Sequence, residues 1–377
     1  MGFIDKKRHI SRMNKKYNYN LRKYKKEDMK EIFELMRFIY PEEKYNNFIH
    51  RRRKMWEWEF LENPLIKKGE EKIWVAEDSG KIIGHVATMP VKLKCDDKYY
   101  IAHFAMDLIV DSAYRGKGIG QGLMEAWRDS SEIAIGLGLT PAVLPIYYKL
   151  GWKVFNTKKV LVKVFKSRKI LKKLIKKENI LLRTGEKLIN SGLKAFNFVL
   201  SKPLKVDWKS IFEIYEFDSK IDIFWEKVKD DYNIALRKSK DYLNWKYTNH
   251  PYYQYKKFYY MGKDGIKGYV VLRESEEEGY CEGHIVDMMT RADDFKSMGL
   301  MVAWIIDYFR KNGVECIYFM TTCANQRKVL LRNGFLPLKR GPVFSVYSHD
   351  KDLLKRLWSF NDWFLTKDSS DLEISYI

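Results

Sequence analysis

Arg115 is the second residue of a stretch, YRGKGIGQG at 114 to 122, in which glycines fall at 116, 118, 120 and 122. Those types and spacings suit the capture of an anion. Glycines at 116, 118 and 120 remove the side chains that would keep a phosphate from the backbone, and Arg115 adds positive charge. If a helix begins here, its first N–H groups lack intrahelical partners and carry the positive end of the helix dipole. The direct inference is a site for a phosphate-bearing cofactor. The pattern is neither G-x-G-x-x-G nor G-x-x-x-x-G-K-[ST], which argues against a dinucleotide fold and against a P-loop.

The elements needed to hold such a turn are legible around it. FAMDLIV, at 104 to 110, is a short apolar run suited to a central strand. Beyond the turn, Ile119, Leu123 and Trp127 fall four apart, as on one face of a helix. The turn therefore sits where a strand ends and a helix starts.

MDLIVDSAYRGKGIGQGLM resembles the acyl-CoA-binding motif of the GNAT superfamily of N-acyltransferases. PIYYKLGWKVF, at 145 to 155, resembles the superfamily's second motif, and GKIIGHV, at 80 to 86, its third strand. The resemblance implies a GNAT-like α/β fold, a mixed sheet with helices, and acetyl-CoA as acyl donor with no metal. It implies that the backbone of Arg115, Gly116, Lys117, Gly118, Ile119, Gly120 and Gln121 holds the pyrophosphate. Leu108, Ile109 and Val110 would pair with the pantetheine arm. Tyr147 would protonate the departing thiolate, with Tyr148 the alternative if the register slips by one. The acceptor amine must shed a proton before or during attack on the thioester. Asp107, on the strand nearest the expected carbonyl, is the first candidate base, directly or through a water. His103 shares its face if the strand alternates strictly, and Glu57 and Glu59 lie on the side expected to meet substrate.

Much of the chain occurs twice. Trp58, Phe60 and Pro64 are matched by Trp245, Tyr247 and Pro251; Gly84 by Gly268; Asp107 by Asp287; and Gly151 by Gly334. The matches keep one order at separations of 180 to 187 residues, the mark of a tandem duplication. The reading is a catalytic acyl-CoA-binding domain at 1–165, a basic helical linker at 166–203 and a degenerate second copy at 204–377. Where the glycine turn should recur, the second copy has ADDFKSMGLM, with acidic Asp293 and Asp294 that repel a pyrophosphate, and Leu330 stands in the place of the tyrosine.

The 377 residues are 46% hydrophobic and 15% aromatic, enough for two packed cores, and the formal net charge is +21. No apolar run reaches the roughly 20 residues of a membrane span, and no secretory signal precedes the first domain. Four scattered cysteines with no C-x-x-C pair suit a reducing cytoplasm. Excess charge favours an anionic partner. The stretch SRKILKKLIKKENILL, at 167 to 182, reads as a basic amphipathic helix, packed between the domains or lying on an anionic membrane surface. The expected acceptor is a small-molecule or peptide amine, an amino sugar among the options, and nucleic acid is not the expected partner. Two other readings stay open: a FemABX-like transferase that takes its acyl group from charged tRNA, and a non-catalytic CoA-binding module.

Overall fold

The computed structural model describes residues 12–13, 19–37, 42–67, 69–157, 159–167, 189–193, 208–277, 279–339 and 341–369. Of the basic helix expected over 167–182, residues 168–182 lie outside the described residues.

In chain order the first half contributes β1 (Arg12–Met13), β2 (Asn20–Lys23), helices α1 (Met29–Arg37) and α2 (Glu42–Phe60), β3 (Trp74–Asp78), β4 (Lys81–Cys95) and β5 (Lys98–Val110). Then come α3 (Ile119–Ser130), β6 (Ile133–Leu137), α4 (Leu144–Lys149), β7 (Lys153–Asn156) and β8 (Val160–Val164). The second half supplies β9 (Ile211–Ile214), β10 (Ile234–Leu236), β11 (Lys256–Gly262), β12 (Gly265–Glu277), β13 (Tyr280–Thr290), β14 (Cys316–Met320), β15 (Leu336–Pro337), β16 (Val343–Ser348) and β17 (Trp363–Phe364).

The first sheet runs β1-β2-β3-β4-β5-β6-β16-β7, and the second runs β9-β11-β12-β13-β14-β8-β15. From β2 onward the two orders correspond strand for strand, so the duplication read from scattered matches is a duplication of topology. The ends differ from the expectation of two contiguous halves. Strand β8 pairs with β14 in the second sheet, and β16 pairs with β6 in the first. The compact units follow that exchange. One unit comprises residues 1–92, 100–155 and 343–358, and the other 93–99, 156–342 and 359–377. The apolar runs VLVKV and VFSV specify buried strands. They carry no information about which of two similar sheets will bury them.

In the first unit β4 is buried along almost its whole length, as a strand covered on both faces must be. The turn Ser79-Gly80, with φ of 51° and 83°, closes the β3–β4 hairpin in the left-handed conformation that Asp-Ser-Gly predicts. Helix α3 buries Ile119, Leu123 and Trp127 against Trp74, Val86 and Trp152. Each such side chain contributes about 1.5–3 kcal/mol on burial. That packing fixes where the helix begins.

Candidate functional site

Strand β5 ends in a short helical turn at Ser112–Tyr114, where Asp111 accepts from the Ala113 amide at 3.0 Å and from Lys81 Nζ at 3.1 Å. The chain then passes Gly116 at φ 78° and Gly118 at φ 81°, conformations that side chains with a Cβ rarely adopt. A Cβ on Gly116 would meet nothing within 4 Å, so the turn faces open space. Residues 115–118 are exposed. Gly118 is the N-cap of α3 and leaves its first turn without a side-chain cap. A Cβ on Gly120 would sit 3.5 Å from Ile146 and 3.7 Å from Val110. The start of α3, the end of β5 and α4 thus meet at this turn, which has the chemistry of an anion cradle.

Strands β5 and β6 are parallel, and their last pair is Phe104 with Ile135. Beyond it β5 runs on to Val110 with no partner in β6, which opens a wedge whose flank carries Leu108, Ile109 and Val110. Gly136, the next residue of β6, lies at the apex. A Cβ there would fall 2.8 Å from the Tyr147 hydroxyl and 2.6 Å from Ser345 Oγ, so only glycine lets both oxygens approach. Tyr147 is 2% exposed, its ring edge-on to Trp152 at 4.7 Å, whereas Tyr148 is 62% exposed. Burial pushes the Tyr147 phenol above its ordinary range, so it stays protonated. No hydrogen bond takes up its hydroxyl among the described residues.

Asp107 stands in β5 at φ 48°, a left-handed residue inside a strand. That left-handed residue interrupts the alternation on which a shared face with His103 depended. Ala105, Leu108 and Val110 pack on the α3 side, while Asp107 receives Arg52 of α2, Nε lying 3.1 Å from Oδ2. Arg52 Nη2 also contacts Asp107 Oδ2 and lies 2.9 Å from Glu59 Oε2. Both Arg52 contacts fall on Oδ2; Oδ1 has no partner among the described residues, and the Asp107 side chain is 21% exposed. Glu57 is on the exposed side of α2, 3.7 Å from Arg53.

His85, on β4, is fully buried near Asp107 and Arg52, and neither ring nitrogen has a partner among the described residues. Burial pushes its pKa down to about 4, and burial likewise takes His103 down to about 3. Both rings are neutral. His103 lines a separate cavity of about 500 Å³ with Lys72, Thr88 and Ser130. Sequence reasoning missed Arg52, His85, Gly136 and Ser345. The one available signal was the arginine run beside the W-x-aromatic repeat.

The second unit keeps the plan and fills it differently. Strands β13 and β14 part after Ile285 and Phe319, as β5 and β6 do. Here the gap holds the chain's own residues. Thr366 bridges Thr321, its hydroxyl donates to Asp287 Oδ1 at 2.9 Å, and Thr322 and Leu365 exchange hydrogen bonds. Lys238 contacts Asp287 Oδ2 at 2.9 Å and also Asp368; Tyr269 and Tyr247 donate to the two carboxylates. All five side chains are buried. Burial opposes its charge, yet the two carboxylates hold Lys238 above the ordinary lysine range. Helix Phe295–Lys311 begins at Asp294, whose carboxylate accepts from the Ser297 amide at 2.9 Å and thus occupies the place of an incoming anion.

Among the described residues no group of three or more His, Cys, Asp or Glu side chains could hold a metal ion, and no helix is long and apolar enough to cross a membrane.

Residues 69–154 match the family model of the acetyltransferase (GNAT) domain. The chain is similar in structure to a probable N-acyltransferase of Enterococcus faecalis, with a TM-score of 0.58 and 13% identity over 88% of this chain and 72% of that one. A GCN5-related N-acetyltransferase of Anabaena variabilis gives 0.54 and 12% over the same shares. Saccharomyces cerevisiae N-myristoyltransferase with bound myristoyl-CoA gives 0.55 and 11%, over 88% of this chain and 82% of that one. At such identities the likeness is one of fold. Among curated proteins none matches significantly.

Proposed function

For a chain whose residues 69–154 match the family model of the acetyltransferase (GNAT) domain, we propose transfer of an acetyl group from acetyl-CoA to a primary amine by direct attack in a ternary complex. The observation that carries the reading is the uncapped glycine turn opening on a strand wedge with a protonated tyrosine at its apex. The amides of Arg115 to Gln121 bind the pyrophosphate, and the free edge of Leu108 to Val110 pairs with the pantetheine arm. The amine nitrogen attacks the thioester carbon, and the carbonyl π pair moves to oxygen. Asp107, through Oδ1 or a bound water, takes the proton the nitrogen sheds. When the tetrahedral intermediate collapses, the C–S bond breaks, its electron pair stays on sulfur, and Tyr147 supplies the proton. The acceptor is an amine of an amino sugar, amino acid or peptide. The myristoyl-CoA carried by the yeast structural relative makes chain length the first variable to examine.

The test is calorimetric titration with acetyl-CoA and longer acyl-CoAs, at two salt concentrations, of the wild type and an Arg115→Ala, Gly118→Val double variant. Saturable binding at one site per chain, lost in the folded variant, is the expected result. A folded wild type that binds no acyl-CoA overturns the reading.

A further inference from the structure

We propose that Ser345, a residue of the second half of the chain, positions the Tyr147 hydroxyl and steadies it as it gives up its proton. The inference rests on the acyl-CoA reading of the wedge. Strand exchange sets β16 against β6, with Ser345 directly opposite Gly136. Its hydroxyl and that of Tyr147 converge on one point above Gly136, at 2.6 and 2.8 Å from where a Cβ would stand. Ser345 is completely buried, and its Oγ has no hydrogen-bond partner among the described residues. Its neighbours Phe344 and Val346 are buried and apolar.

A hydroxyl left alone in such surroundings destabilises the fold, and alanine would fill nearly the same space without that cost. The hydroxyl has a use if it is satisfied in the reacting state. Ser345 Oγ–H donates to the Tyr147 oxygen, directly or through one water, which turns the phenol proton toward the sulfur. As the C–S bond breaks and the phenol proton passes to the thiolate, the same donor stabilises the phenolate. The phenolate then recovers a proton from solvent, which balances the proton left with Asp107. Ser345 acts through Tyr147 and does not itself touch the acyl group.

The experiment is a double-mutant cycle of Ser345→Ala with Tyr147→Phe, read as kcat, KM for acyl-CoA and thermal unfolding. The expected result is that Ser345→Ala lowers kcat about tenfold, the order of one hydrogen bond, with KM and Tm not worsened. In the Tyr147→Phe background it costs nothing further. Ser345→Thr, which keeps the hydroxyl, restores most of the rate. A kcat equal to wild type, the same loss in both backgrounds, or a loss confined to KM overturns the proposal. A second measurement is independent of turnover: the wild type should prefer CoA to desulfo-CoA in calorimetry, and Ser345→Ala and Tyr147→Phe should shrink that preference alike. An undiminished preference in Ser345→Ala overturns the positioning role alone. A folded wild type that binds neither ligand overturns the acyl-CoA reading and this one with it.

Discussion

The two wedges of this molecule are built alike and furnished oppositely. In the first, β5 and β6 part above Gly136, the helix behind them starts at a bare glycine, and Asp107 keeps one oxygen open. In the second, β13 and β14 part at the corresponding place, but the helix is capped by Asp294 and the gap is filled by Thr366 to Asp368. Each copy clamps the carboxylate of its central strand with a cation, Arg52 on Asp107 and Lys238 on Asp287. The clamp therefore belongs to the fold, and what separates the copies is access. A ligand could approach Asp107, whereas Asp287 is sealed.

The largest effect should come from breaking the clamps. Lys238→Met leaves two buried carboxylates facing each other and should cost about 3–5 kcal/mol of stability in urea unfolding, with acyl-CoA affinity of the folded protein unchanged. Arg52→Met should cost a similar amount and also abolish turnover; equal effects of both variants on turnover would break the comparison. Next, Tyr147→Phe should lower kcat about 100-fold while calorimetry shows unchanged acyl-CoA binding.

Acid should weaken both units more gradually. Burial holds His85 at about 4, and His103 and His250 at about 3, against an ordinary imidazole value of 6.5, so all three are neutral when folded. Their folded pKa values are depressed, so the unfolded chain binds their protons first. The stability they contribute is present above pH 6.5 and is lost as pH falls toward 4 for His85 and toward 3 for His103 and His250. Each should cost about 1 kcal/mol at pH 5.5 relative to pH 7.5. His250→Gln should flatten the pH dependence of unfolding, and an unchanged profile would show that burial there does not exclude the proton. The smallest effect belongs to Asp294→Ala, about 1 kcal/mol from the lost cap. It should leave acyl-CoA stoichiometry at one per chain, because the chain itself still fills the second wedge. A second site would show that the cap alone had closed it.

Local chemistry was legible. The glycine turn, the strand before it and the helix after it are contiguous, and their requirements for φ, N–H exposure and apolar spacing are written within 25 residues. The left-handed conformation at Asp107 was not. Strict alternation put His103 beside it, but His103 lines a cavity of its own while Asp107 meets Arg52. Arg52 and His85 were hidden for a related reason, since Arg52 reaches Asp107 from another helix and His85 lies near it on another strand.

The sequence by itself determined two copies of one topology and an exposed glycine turn, between a strand and a helix, whose conformation and charge suit an anion. Only the tertiary structure decided which strand completes which sheet, what fills the second wedge and which hydroxyl stands beside Tyr147. An apolar run such as VLVKV or VFSV specifies a buried strand but not its partner. With two similar sheets available, the choice of partner falls to long-range packing.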